Sequence, residues 1–250
     1  MYQHIIISIF LIINFLISQN MSGYDLAKMI DQKTQPISSK SEISMTLINI
    51  KKDRKKTKEM VSISKDNGKK MLMFFKSPKR DKGVGFLKIE MDDSDKLSLF
   101  IPKLKKIRRI SSSNQSDSFM GSDLSFEDML SRDLDDFDYN IISNTSDMYI
   151  MESICKDGES EYSRHVSWIS KEHLLIIKEE SYDQNNSLLK HKSFKQIEMN
   201  GYYLISEIDV TNVQDQHRTI LGINTLEVDG DINDATFKEI NLKRSEKFLQ

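Results

Sequence analysis

The sequence predicts a mainly β protein, a meandering antiparallel architecture in one domain. Three observations predict it. Roughly a dozen short apolar or alternating runs succeed one another. Turn residues stand between most of them, and no shift in composition marks a second domain. Three prolines and nine glycines in 250 residues argue against long linkers, and a formal net charge of −2 gives no global field toward nucleic acid or membrane.

Residues 5–17 form an apolar run broken only by Ser8 and Asn14. A membrane-spanning helix needs about 20 residues, so this run has the length of a secretory signal's apolar stretch. It predicts a signal peptide over residues 1–22, with cleavage between Ser18 and Gly23, and a mature domain over 23–250 outside the cytoplasm. No Lys or Arg precedes the run, which keeps an uncleaved anchor as the competing reading.

Leu26, Met29 and Ile30 give residues 24–33 the spacing of a short amphipathic helix. Strand patterns follow at 42–50, 58–65, 69–76, 84–91 and 96–101, with a charged hairpin tip at 51–56. Asp66-Asn67-Gly68 is a hairpin signal, because Asn-Gly accepts the positive φ of a type I′ turn. A basic strand at 101–110 leads into a polar Ser/Asn loop. Residues 125–134 read as a helix, with Ser125 and Asp128 at capping-box spacing and Gly121 turning the chain before it. Further strands are expected at 139–142, 148–155, 164–170, 174–182, 187–197, 202–213 and 218–228. Within 187–194 apolar and basic residues interleave, which predicts one buried and one solvated face. Cys155, the single cysteine, cannot form an internal disulfide and reads as a buried strand residue.

No catalytic constellation is visible. There is no Gly-x-Ser-x-Gly, Gly121-Ser122-Asp123 resembles a nucleophile elbow only superficially, and the five histidines are scattered. Residues 229–234 read as a polar loop rather than a calcium site, because Asp234 stands where the sharp turn needs glycine. The expectation is a non-enzyme with no metal, no cofactor and no nucleic-acid partner.

The residues that say most are Phe75-x2-Pro78 with Lys82-Gly83-x-Gly85-Phe86-Leu87, then Phe100-Ile101-Pro102, Lys106-Ile107-Arg108-Arg109-Ile110, and Ser118-Phe119-Met120-Gly121-Ser122-Asp123 with Glu127-Asp128. Trp168, Asn200-Gly201, Thr211-Asn212 and His217-Arg218-Thr219 follow, before Phe237. Together they closely resemble the outer membrane lipoprotein-sorting proteins of the LolA-like superfamily, over essentially the whole mature chain. The resemblance implies an open antiparallel half-barrel (LolA/LolB-like) whose short helices cover an apolar cavity. It implies a periplasmic carrier of lipid or lipoprotein acyl chains towards the outer membrane, with an RND-type inner-membrane transporter as partner. The alternative is a non-catalytic docking subunit of such a transporter. Leu97-Ser98-Leu99-Phe100 lacks the Trp common in the family, and Leu124 is aliphatic where an aromatic is common.

The acyl-cavity candidates are Met71, Met73, Phe75, Leu87, Leu97, Leu99 and Phe119; ordinary core packing is the alternative for each. Met71, Met73 and Phe75 share one strand face, and Leu72 and Phe74 the other. Flexible methionines suit a variable ligand. Arg108 and Arg109 suit a phosphate headgroup, since a guanidinium binds it as a planar fork, or they are a solvated sheet edge. For Lys103, Lys105 and Lys106 the solvated face is the reading. Gly121, Ser122, Asp123 and Asp128 complete the motif, and the two aspartates are expected to pair with the arginines or cap the helix.

Overall fold

The computed structural model describes residues 21–91, 94–156 and 158–249. The apolar run at 5–17 and the rest of 1–20 lie outside the described residues. The short turns leave each strand only its chain neighbour to pair with, so the chain winds as a meander. The strands are β1 (Ser38–Asn49), β2 (Arg54–Lys65), β3 (Lys70–Ser77), β4 (Gly85–Ile89), β5 (Lys96–Ile101), β6 (Lys106–Ile110) and β7 (Phe137–Asn144). Then come β8 (Met148–Cys155), β9 (Tyr162–Ser170), β10 (Leu175–Asp183), β11 (Leu188–Met199), β12 (Tyr202–Asn212) and β13 (His217–Val228). β13 returns to pair with β1, giving one open antiparallel sheet in the order β6-β5-β4-β3-β2-β1-β13-β12-β11-β10-β9-β8-β7. Its two edges, β6 and β7, are joined by residues 111–136, which cross the inner face from rim to rim. This is the expected open half-barrel.

The turn chemistry acts as expected. Asn67 and Gly68 take φ of 56° and 86°, and the Lys69 N–H donates to the Asp66 carbonyl at 3.1 Å. Helix α1 (Gly23–Asp31) starts at a reciprocal capping box between Ser22 and Asp25 and lays Leu26 and Ala27 against Met151 and Ile169. It sits so close to β7 that a Cβ on Gly23 would lie 2.4 Å from the Tyr139 carbonyl oxygen.

β3 is apolar on both faces, and each face has a cover. Met73 and Phe75 join Met45, Met60, Phe86, Leu97 and Leu99 on the inner face, beneath Phe119 and Phe126 of the crossover. Leu72, Phe74 and Leu87 pack on the outer face under Phe237 and Leu242, with Phe248 stacked on Phe74 at 5.2 Å. The 3-10 turns of residues 234–247 thus form a second layer.

Four expectations differ from the structure. No helix forms at 125–134; 3-10 turns occupy Glu127–Met129 and Leu134–Asp136. Asp128 takes the Ser125 N–H at 2.9 Å as a cap would, but Leu130 is extended (φ −90°, ψ 155°) and ends the turn. The strand expected at 101–110 breaks at Pro102–Leu104, where proline offers no N–H to a ladder and Lys105 is left-handed. On β11 the basic residues Lys190 and Lys192 take the buried face. Cys155, expected buried, is half-buried at the end of β8.

Candidate functional site

Between the inner face and the crossover lies a cavity of about 650 Å³. Ile43, Met60, Met71, Met73, Leu221 and Ile223 line it from the strands, and Phe119, Leu124, Met129 and Leu130 from the crossover. Side chains of four neighbouring strands (β3, β2, β1, β13) alternate inward here, which is why apolar residues two apart in sequence, such as Met71 and Met73, meet at one surface.

The Ser118–Asp123 motif fixes one half of the cover. Met120 and Gly121 take φ of 54° and 78°, turning a tight loop closed by the Phe119 N–H donating to the Leu124 carbonyl at 2.7 Å. The Ser122 hydroxyl donates to the Phe119 carbonyl at 2.7 Å. Phe119 then drops into the inner core, 5.1 Å from Phe86 and 5.6 Å from Phe126 between ring centres. Buried Lys58 donates to the Met120 carbonyl at 2.8 Å, while the Asp123 carboxylate takes the Thr219 hydroxyl at 2.5 Å and stands 2.8 Å from His217 Nδ1.

The other half is held by charge. Arg132 forks onto Glu179 with two contacts of 2.7 Å. Asp128 meets Lys192 at 2.7 Å and Lys190 at 3.3 Å, and accepts the Tyr162 hydroxyl at 2.8 Å. Lys190 also meets Glu161 at 2.9 Å, and Ser167 donates to Glu179 at 3.0 Å. Cross-strand register builds this cluster, because Glu179 lies opposite both Ser167 and Lys192, and Ser181 opposite both His165 and Lys190. Burial alone would raise the Asp128 carboxyl, but Lys192 and Lys190 override it and hold it well below the usual carboxylate range. Glu179 behaves alike: burial raises it, and the Arg132 and Lys192 charges outweigh that and hold it well below the usual carboxylate range. Burial and then the Arg132 charge push His165 well below its ordinary value, so its ring is neutral. Three cations (Arg132, Lys190, Lys192) thus face three carboxylates (Asp128, Glu161, Glu179).

The arrangement does not form a hydrolytic relay. Ser181 at 2.9 Å and Glu179 at 3.6 Å both address Nδ1 of His165, whereas a relay needs the two ring nitrogens to serve different partners. Among the described residues, no group of three or more His, Cys, Asp and Glu side chains is placed to hold a metal ion, and no helix is long and apolar enough to cross a membrane.

The structure distributes the expected site residues over six places. Met71, Met73 and Phe119 line the cavity. Phe75, Leu97 and Leu99 lie in the core cluster around it without lining it. Leu87 points to the outer face, because it is one residue out of phase with Phe86. Arg108 and Arg109 are exposed on edge strand β6, 3.4 Å from Asp117 and 3.5 Å from Glu239, and neither lines the cavity. Gly121, Ser122 and Asp123 shape the pinned loop, and Asp128 enters the ionic cluster. Neither aspartate pairs with the arginines. Sequence reasoning missed Arg132, Glu179, Lys190, Lys192, His165 and Tyr162. The available signal was Glu179-x-Ser181 followed by Lys190-x-Lys192, charges repeating with strand period on neighbouring strands.

A family model described as "-like: Uncharacterized protein" matches residues 67–244. No curated protein matches the chain. Among solved structures, a DUF1329 family protein from Desulfovibrio piger is 31% identical, with a TM-score of 0.81 over 88% of this chain and 97% of its own. An outer membrane lipoprotein-sorting protein domain from Vibrio parahaemolyticus is 28% identical, with a TM-score of 0.82 over 89% of this chain and 98% of its own. A LolA superfamily protein from Nitrosomonas europaea shares the fold at 15% identity, with a TM-score of 0.70 over 88% of this chain and 98% of its own. With 31% identity over nearly the whole of both chains, the chain belongs to the DUF1329 family, and its fold is LolA-like.

Proposed function

We propose that the protein is a periplasmic carrier that holds the acyl chains of a lipid or lipoprotein in the cavity and conveys them towards the outer membrane. The observation that carries this reading is the open apolar volume under the crossover. Its 650 Å³ falls within the roughly 300–1,000 Å³ usual for small-molecule sites. An acyl chain gains about 0.8 kcal/mol per buried CH₂ without any directed bond, so transfer runs down a gradient of affinity and needs no catalysis. The name of the Vibrio relative supports the same class of activity. A docking subunit without cargo would fill this space with its own side chains.

Export precedes that role in this reading. Met21 packs against the α1 cluster and Ser22 caps the helix, so processing upstream of Met21 leaves the fold intact. The resemblance adds an RND-type inner-membrane transporter as the donor.

Native mass spectrometry of the protein purified from a periplasm, followed by solvent extraction, tests the proposal. A stoichiometric acyl-bearing ligand is expected. A bare mass that persists after incubation with lipids and acylated peptides would sink it in favour of the docking subunit.

A further inference from the structure

The cations that the cavity does not use gather at one end of the sheet. Five of the six residues at 51–56 are Lys or Arg, as are three of the four at 79–82 and three of the four at 103–106, and all eleven are exposed. The meander places these three segments together. The β2–β3 ladder begins at Glu59 opposite Ser77, so the β1–β2 tip projects past the end of β3 where the 79–82 loop starts. Lys58 reaches Asp81 of that loop at 3.1 Å. Gly83, next in chain, lies against the 102–104 turn and the C-terminal turns: a Cβ there would stand 3.4 Å from Pro102 and 3.0 Å from Ser245. Ser245 brings exposed Lys243, Arg244 and Lys247 to the same end, with Glu246 among them. Asp53 and Asp81 are the acids within the three segments, and Asp81 is already engaged by Lys58. Two aliphatic side chains stand out among the lysines, Leu104 at 62% exposed and Ile50 at 48%.

We infer that this end docks on the surface of an anionic lipid bilayer. The cations are mostly lysines, point charges suited to a diffuse anionic plane, where a shaped acidic partner would favour forked arginines. The exposed Leu104 and Ile50 match an interface that takes aliphatic side chains between headgroups while lysines hold their charges at the phosphates. The cavity lining carries Asp95, Asp133, Asp136 and Glu207, which the same plane repels, so the molecule lands in one orientation. The inference stands apart from whatever the cavity carries.

Flotation of the mature protein with phosphatidylglycerol/phosphatidylcholine vesicles, and with phosphatidylcholine alone, tests it. Binding to the anionic vesicles alone is expected, with loss at high salt as screening sets in. Lys103→Gln, Lys105→Gln and Lys106→Gln together should weaken it about a hundredfold, each lysine giving roughly a fivefold factor, and Leu104→Ser should weaken it at every salt concentration. These positions are exposed loop residues, so circular dichroism should show an unchanged fold. Met71→Trp, which occupies the cavity, should leave flotation unchanged. Equal binding to neutral vesicles, no binding to anionic ones, an unaffected triple variant, or loss with Met71→Trp would each overturn the inference, the last by showing capture through the cavity.

Discussion

The Arg132 guanidinium and the Glu179 carboxylate meet fork to fork, and with this contact the crossover grips β10, the fourth strand from the β7 edge. Glu179 is buried, while Arg132 keeps 37% of its side-chain surface, beside the cavity it lines. Removing the carboxylate leaves Arg132 without its countercharge and Lys192 with Asp128 alone. Glu179→Gln should cost about 3–5 kcal/mol, the range for breaking one partner out of a buried pair. Urea unfolding would measure it, and a loss below about 1 kcal/mol would mean the pair is no more than a surface bridge.

The split between cavity wall and core gives a second test. Met71→Trp should reduce bound acyl ligand several-fold while the protein stays folded, because it fills open space. Leu87→Ala should behave in the opposite way. It removes outer-face packing under Phe237 and Leu242, costs about 2–5 kcal/mol, and leaves ligand occupancy unchanged. Calorimetry and extraction on the same preparations separate the two. A charge at Phe75 or Leu87 should unfold the protein rather than block loading, since both are almost fully buried.

The contrast between Phe86 and Leu87 shows how far the sequence reaches. Turn residues such as Asn67-Gly68 fix where strands end, and the ranges of β5 and β8 follow directly from their patterns. Alternation reveals that a strand has two faces, but not which one the fold covers, because a single-residue slip exchanges them. For β3 both faces are apolar, and only the C-terminal turns decide that Leu72 and Phe74 point away from the cavity. For β11 the same limit hides Lys190 and Lys192: lysine inside a sheet becomes tolerable only when Asp128, Glu161 and Glu179 arrive from elsewhere in the chain. Residues 125–134 read as a helix because Ser125 and Asp128 make true capping contacts, but the segment instead forms 3-10 turns at Glu127–Met129 and Leu134–Asp136 with extended Leu130 between them.

His165 gives a pH signature. Its folded value lies well below the unfolded value of about 6.5. As pH falls through the unfolded value the denatured chain takes up a proton that the native ring refuses. Stability contributed by the neutral ring is therefore present above about pH 6.5 and is lost progressively below it. The groups facing the ring are Arg132, Glu179, Ser181, Lys192, Asp128 and Tyr162. Thermal melts of wild type and His165→Asn between mildly acidic and neutral pH should diverge, the wild type showing the steeper fall with acid. Parallel curves would contradict the assignment.

Cys155 lies in the cavity lining. A thiol reagent should modify it more slowly once an acyl ligand is bound, with the protection lifted in Met71→Trp preparations that retain no ligand. Identical rates with and without a bound acyl chain would place the ligand elsewhere.

Gly23 should not accept a side chain. Its missing Cβ would meet backbone at Tyr139, which cannot swing aside, so Gly23→Ala should lift α1 and increase hydrogen exchange in β7. An unchanged exchange pattern would show that the helix can shift without loosening its strand.

The crossover is bonded covalently to both rims of the sheet, at Ile110 and at Phe137. It therefore behaves as a hoop and not as a hinged flap. A flap opens by swinging about one attachment, whereas a hoop of fixed contour can admit cargo only by bowing outward or by letting the rims draw together. The amplitude of opening is then set by chain length, and a single proteolytic cut in the polar stretch near Ser113 would free the rims while every strand ladder stayed whole.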